Sequence, residues 1–233
     1  MHFVQSSSAD GSPPTPEQLH ALHRRMGPPD NELPGAIAFH TVIGRTDELA
    51  IALVSADAYT NGLSISIAVR LRHNDAADGL AETLHGHHRH GASSDQLLVG
   101  VSYPDGRTAT NVSAPRFADL LRELEQPEQL ILVERGGGGG GREFGMGFWI
   151  TPLPPPGDLT IVVAWPSQGI AETHTTIPAD LIAAGLARSV ELWPWEPPSH
   201  RDEPAARELP ELPEGGWFAE HTPDATDVAE PDV

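Results

Sequence analysis

The feature that most constrains this chain is a run of two-residue alternation. Apolar Leu63, Ile65, Ile67, Val69 and Leu71 alternate with Ser64, Ser66, Ala68, Arg70 and Arg72. Successive side chains of a β-strand point to opposite faces, so the pattern puts one face in a core and the other toward water. A helix, with its period of 3.6, cannot gather such a set on one side. Just before the run, Asn61-Gly62 follows the apolar stretch Leu49–Val54. Both residues tolerate positive φ, so the dipeptide predicts a two-residue hairpin turn.

The same pattern recurs downstream. Leu97, Val99, Val101 and Tyr103 share a face, Pro104-Asp105-Gly106 turns the chain, and Arg107–Val112 returns. Leu130–Val133 reads as a strand. Phe144, Met146, Phe148 and Ile150 alternate with Gly145, Gly147, Trp149 and Thr151, and Pro154-Pro155-Pro156-Gly157 forms a turn. Leu159, Ile161, Val163 and Trp165 alternate again up to Pro166, and Ala171–Thr176 adds a Thr-rich strand. About eight short strands with turn signals between them predict a mainly β fold, an immunoglobulin-like antiparallel β-sandwich, with a barrel as the alternative.

Helices are expected only at the edges. Thr15, Pro16 and Gln18 form a helix start, Leu19, Leu22 and Met26 recur at helical spacing, and Gly27-Pro28-Pro29 stops the run. Phe117, Leu120, Leu121 and Leu124 make a second amphipathic stripe. A C-terminal helix is expected over 178–193, with Asp180 in its first turn and Ile182, Leu186, Val190 and Trp193 as its apolar stripe. Strands alternating with long helices are missing from the pattern, which argues against a doubly wound fold. The expected organisation is a disordered segment over 1–14, one domain over 15–195 with its core in 36–177, and a disordered acidic tail over 196–233.

Charge and composition narrow the functions. The net charge is −19, so phosphate backbones and anionic lipid headgroups are repelled, and neither nucleic acid nor membrane is an expected partner. There is no cysteine, which removes thiol nucleophiles, thiolate metal sites and disulfides. All 14 basic residues are arginine, which removes Schiff-base chemistry and the phosphate-loop lysine. No basic stretch followed by an apolar one opens the chain, and no apolar run approaches the ~20 residues of a spanning helix. The expected location is cytoplasmic.

Several clusters invite chemistry. Gly136–Gly141 is a run of six glycines. A phosphate-binding loop needs a strand before it and a helix after it; here a strand follows, so a flexible connection between strands is expected. His85, His87, His88 and His90 are imidazoles close enough in sequence to attract zinc, copper or nickel. A built zinc site draws three or four ligands together, usually from more than one segment, so these four are weak metal candidates and no cofactor is expected. Glu172 and His174 share one face of a strand and can pair. Asp57, Tyr59, Asp105 and Arg107 fall in turns and fit turn formation better than catalysis. No Gly-x-Ser-x-Gly elbow is present, and no catalytic residue is assigned. Trp149, with Gly145 and Gly147 on its face, either borders a shallow groove or is packed under a helix, and the packed reading is preferred. In the tail, Leu209, Leu212, Trp217 and Phe218 stand among carboxylates, as in acidic segments that fold onto a partner.

The polyglycine run, Phe148–Gly157, Trp165-Pro166-Ser167-Gln168-Gly169-Ile170 and the helix ending Glu191-Leu192-Trp193 resemble an actinobacterial β-sandwich protein family of unknown function. Asp57-Ala58-Tyr59 and Asp105-Gly106-Arg107 extend the resemblance over most of 45–195. It implies no activity, and no catalytic residue carries over from it. The expected function is therefore a non-enzymatic binding or protein–protein interaction module, engaging another protein through the acidic tail or the sheet surface near Trp149. The competing class is a small hydrolase or metal-dependent enzyme using histidines and carboxylates.

Overall fold

The computed structural model describes residues 15–73, 95–113 and 127–196. The chain divides into two compact units, Met1–Pro197 and Pro198–Val233, and every described residue belongs to the first. The four candidate histidines, the stripe from Phe117 to Leu124, residues 1–14 and the tail lie outside the described residues.

Two helices and twelve strands make up the described part. They are α1 (Pro16–Met26), β1 (Glu32–Leu33), β2 (Gly35–Ala36), β3 (Thr41–Arg45), β4 (Leu49–Tyr59), β5 (Gly62–Leu71), β6 (Leu98–Ser102), β7 (Thr108–Thr110), β8 (Ile131–Gly140), β9 (Glu143–Thr151), β10 (Leu159–Trp165), β11 (Ile170–Ile177), α2 (Ala179–Leu186) and β12 (Val190–Glu191). The protein is mainly β, and every pairing is antiparallel. A six-stranded sheet runs β2-β4-β5-β9-β8, with β3 also on β4, and a four-stranded sheet runs β11-β10-β6-β7. Successive hairpins thus alternate between the sheets. β4–β5 and β8–β9 build the larger one, β6–β7 and β10–β11 the smaller.

The alternation in the sequence explains why the sheets stack. Leu63, Ile65, Ile67, Val69, Phe144, Phe148 and Ile150 of the larger sheet share one buried cluster with Val99, Val101, Ile161, Val163 and Trp165 of the smaller. Each such side chain gains about 2 kcal/mol over staying in water. A one-residue slip of β5 would turn its whole apolar set outward, so register is firmly specified. Across the two sheets, the hydroxyl of Thr173 in β11 donates to the carbonyl of Ile43 in β3.

Helix α1 lies on the outer face of the larger sheet, where Leu22 and Met26 pack on Ile131 and Val133. Its C-terminal carbonyls, which no intrahelical N–H reaches, are met by side chains from the sheet. Asn61 Nδ2 donates to the carbonyl of Arg24 at 2.7 Å, and Arg135 Nη1 to that of Met26 at 3.0 Å. Buried Arg25 donates in turn to the carbonyls of Pro127, at 2.8 Å, and Gln129.

Two local expectations are corrected. In the β4–β5 hairpin Tyr59 pairs with Gly62, so the turn residues are Thr60 and Asn61, and neither Asn61 nor Gly62 has positive φ. The dipeptide serves other contacts: Asn61 caps α1, and a Cβ on Gly62 would lie 2.7 Å from the Trp149 ring and 2.4 Å from the Ile150 carbonyl. The C-terminal helix, expected over 178–193, ends at Leu186. Ser189 Oγ closes it on the Leu186 carbonyl at 2.9 Å, and the chain turns back so that Val190 pairs with Leu33 of β1. Asn31 Nδ2 then holds the Trp193 carbonyl at 2.8 Å. The ribbon leaves Leu33, Val190, Leu192 and Trp193 exposed, so Val190 and Trp193 form no buried helical stripe. No helix among the described residues is long and apolar enough to cross a membrane.

Candidate functional site

The six glycines do not form a loop. Gly136–Gly140 continue strand β8 and pair with β9: Gly137 opposes Met146, Gly138 opposes Gly145, Gly139 opposes Phe144 and Gly140 opposes Glu143. Only Gly141 and Arg142 turn the chain, with Gly141 at φ 62°. The expectation of a flexible connection is corrected because glycine, despite its entropic cost in a strand, is required by the geometry. Gly136 has φ 97° at a register shift between Glu134 and Gly137, the signature of a β-bulge. A Cβ on Gly137 would sit 2.4 Å from the Gly145 carbonyl, and one on Gly139 2.2 Å from the Glu143 carbonyl. Gly138 and Gly140 differ: a Cβ there meets nothing within 4 Å.

The consequence is an open edge. β8 is the last strand of the larger sheet among the described residues, and Gly137–Gly140 are exposed. One side of their main chain pairs with β9; the other presents N–H and C=O groups with no side chain to shield them. Edge strands are normally protected by charged side chains, proline or a covering element. Here Glu134 and Arg135 precede the glycines, and Arg142 and Glu143 follow them. Next to the edge the outer face carries a row of small residues. Register places Gly138, Gly145, Ala68 and Ala52 in one row across four strands. The row beside it contains the Arg70–Glu143 ion pair.

Trp149 borders no groove. It is fully buried, and the Tyr59 ring meets it edge-on at 5.5 Å. Trp149 therefore offers no exposed aromatic to a partner. The packed reading describes it, since α1 covers that end of the face. Its indole N–H is buried with no hydrogen-bond partner among the described residues.

Glu172 and His174 do meet, with Oε1 and Nε2 2.8 Å apart. Both are mostly exposed, at 67% and 60% of the side chain. They stand at the rim of a shallow groove of about 320 Å³ on the outer face of the smaller sheet, floored by Leu98, Gly100, Val162 and Ala164. No group of three or more side chains able to hold a metal ion occurs among the described residues.

Asp105 and Arg107 behave as turn residues, whereas Asp57 and Tyr59, expected in turns, lie in strand β4, where Asp57 pairs with Ser64 and Tyr59 with Gly62. Asp105 Oδ1 accepts from the Arg107 amide at 3.1 Å, and the two side chains pair at 2.7 Å. The Arg107 hydrogen bond holds the Asp105 carboxyl below its usual range. Arg107 also lies over the Tyr103 ring, 5.2 Å from its centre. Tyr103 is buried and donates its hydroxyl to the Pro152 carbonyl, and burial pushes its pKa far up. Asp57 is raised by burial, and Tyr59 by burial first and then by the Asp57 charge.

Fold and edge together define a mainly β protein in which, among the described residues, an edge strand ends in five exposed or half-buried glycines. No family model matches the chain, and no curated protein or solved structure matches it significantly. The resemblance to the actinobacterial family therefore gains no support from these comparisons. The open edge had a sequence signal that a loop reading overlooks. Gly145 and Gly147 lie opposite the glycine run, and small residues recur on the polar side of β4 and β5.

Proposed function

We propose that this protein is a non-enzymatic binding module that takes up an extended segment of another protein by strand addition along β8. The observation that carries the reading is the Gly136–Gly140 strand, paired on one side and bare on the other. Strand addition draws affinity from main-chain hydrogen bonds, and a strand without side chains lets a second backbone approach closely.

Selection from a library of displayed peptides tests the reading. Bound peptides are expected to slow amide exchange at Gly136–Gly140. Gly138→Lys with Gly140→Lys should weaken binding, because charged side chains on an edge strand oppose the addition of another, while leaving the fold intact, because neither Cβ meets a neighbour among the described residues. Protection confined to another surface, or binding indifferent to both lysines, would refute it.

An immunoglobulin-like sandwich, as the finer description of the fold, is supported by two antiparallel sheets of short strands around one core. The alternation of whole hairpins between the sheets departs from the Greek-key order of immunoglobulin domains.

A further inference from the structure

The bare edge also constrains the chemistry of its occupant; this step rests on strand addition at β8. We infer that the segment taken up is a basic strand from another protein, with large aromatic side chains at alternate positions.

The aromatic requirement follows from the pairing already present on the inner face. There β9 places Phe144 opposite Gly139 and Met146 opposite Gly137, and both large side chains are buried. A large side chain covers the space that a cross-strand glycine leaves, and so compensates for its weak strand tendency. On the outer face that compensation is missing. Gly138 faces Gly145, and among the described residues a Cβ on Gly138 would meet nothing within 4 Å and one on Gly145 only the Gly138 carbonyl, at 3.8 Å. A strand added beside β8 would direct every second side chain over this face. Strands lie about 4.8 Å apart, so a phenyl or phenol ring opposite Gly138 lies directly over it. An alanine in that place leaves the floor uncovered.

The charge requirement follows from contrast. The chain carries −19, whereas the edge is flanked by Glu134, Arg135, Arg142 and Glu143, with Arg70 paired to Glu143. A basic segment is drawn in by the overall field. An acidic segment is repelled over the whole approach. So is a second copy of this chain, because each copy brings the same negative field.

Three synthetic peptides of strand length test the inference on the full chain, with affinity read by fluorescence anisotropy. One alternates phenylalanine with threonine between terminal arginines. The second replaces each phenylalanine by alanine, and the third replaces the arginines by glutamates. The aromatic basic peptide should bind about tenfold tighter than either, and its margin over the acidic one should shrink as salt rises. Gly138→Val, which puts a branched side chain on the floor while leaving the edge main chain free, should erase the preference for phenylalanine over alanine. Equal affinity for all three peptides, with exchange protection at Gly136–Gly140, would overturn the inference while leaving strand addition standing. So would tighter binding of the acidic peptide. Dimers of the free chain that Gly138→Lys dissociates would overturn it by making a second copy the occupant. If none of the three binds and no displayed peptide protects the edge, strand addition itself fails.

Discussion

Asn61 and Arg24 are joined across the outer face of the larger sheet: the side-chain amide of Asn61 donates to the Arg24 carbonyl at 2.7 Å. A residue in the β4–β5 turn thereby closes the C-terminus of α1, the helix that seals Trp149. Turn, helix and buried indole form one unit.

Asn61→Ala should therefore loosen α1 before it affects either sheet. It removes a cap on a helix-terminal carbonyl, and the loss should be about 1 kcal/mol. Exchange protection should fall in Pro16–Met26 and persist in β5 and β9. A uniform loss of protection would show that α1 and the sheets unfold together.

A glycine scan of β8 should divide the run by geometry. Gly138→Ala and Gly140→Ala find open space and should be neutral or stabilising by up to about 1 kcal/mol, because they restrict the unfolded chain. Gly137→Ala and Gly139→Ala drive a Cβ into the β9 main chain and should cost more than about 2 kcal/mol. Thermal denaturation of the four variants checks the order. Equal costs at all four sites would mean that the run is a loop.

Tyr103 should make stability fall at alkaline pH. Its folded pKa is raised by burial above the unfolded value, near 10 for a free tyrosine. Its contribution is thus full below pH ~10 and is lost as pH rises beyond that, since the unfolded chain ionises first. Ultraviolet titration should show delayed ionisation, with Tyr59 also shifted up. Tyr103→Phe should lower stability at neutral pH, by losing the bond to Pro152, and flatten the alkaline decline. An unchanged alkaline slope would refute the assignment.

The Glu172–His174 pair should contribute little. Both side chains are more than half exposed, and exposed pairs are worth about 0–1 kcal/mol. Glu172→Gln and His174→Ala should each leave the melting temperature almost unchanged. A large loss from either would show that the pair is tied into the sheet by further contacts.

Alternation alone made the two-sheet core legible. Leu63 to Leu71, Phe144 to Ile150 and Leu159 to Trp165 lie inside as their spacing requires, because a strand has only two faces and water selects between them. The helix stripe of Leu22 and Met26 likewise pointed to a docked helix. What the sequence could not supply were the partners across space. Six glycines in a row carry no face pattern, so nothing local separates a loop from a strand. Only β9, with its carbonyls against Gly137 and Gly139, makes them a strand and makes glycine necessary there. Asn61-Gly62 carried a sound turn signal, yet the Trp149 ring and the end of α1 decided its conformation. Val190 and Trp193 kept helical spacing, but pairing with β1 prevailed once α2 had ended. Local pattern settles which side of an element is apolar. Which main chain lies beside a bare strand, and which edge stays open, is decided only when distant segments meet.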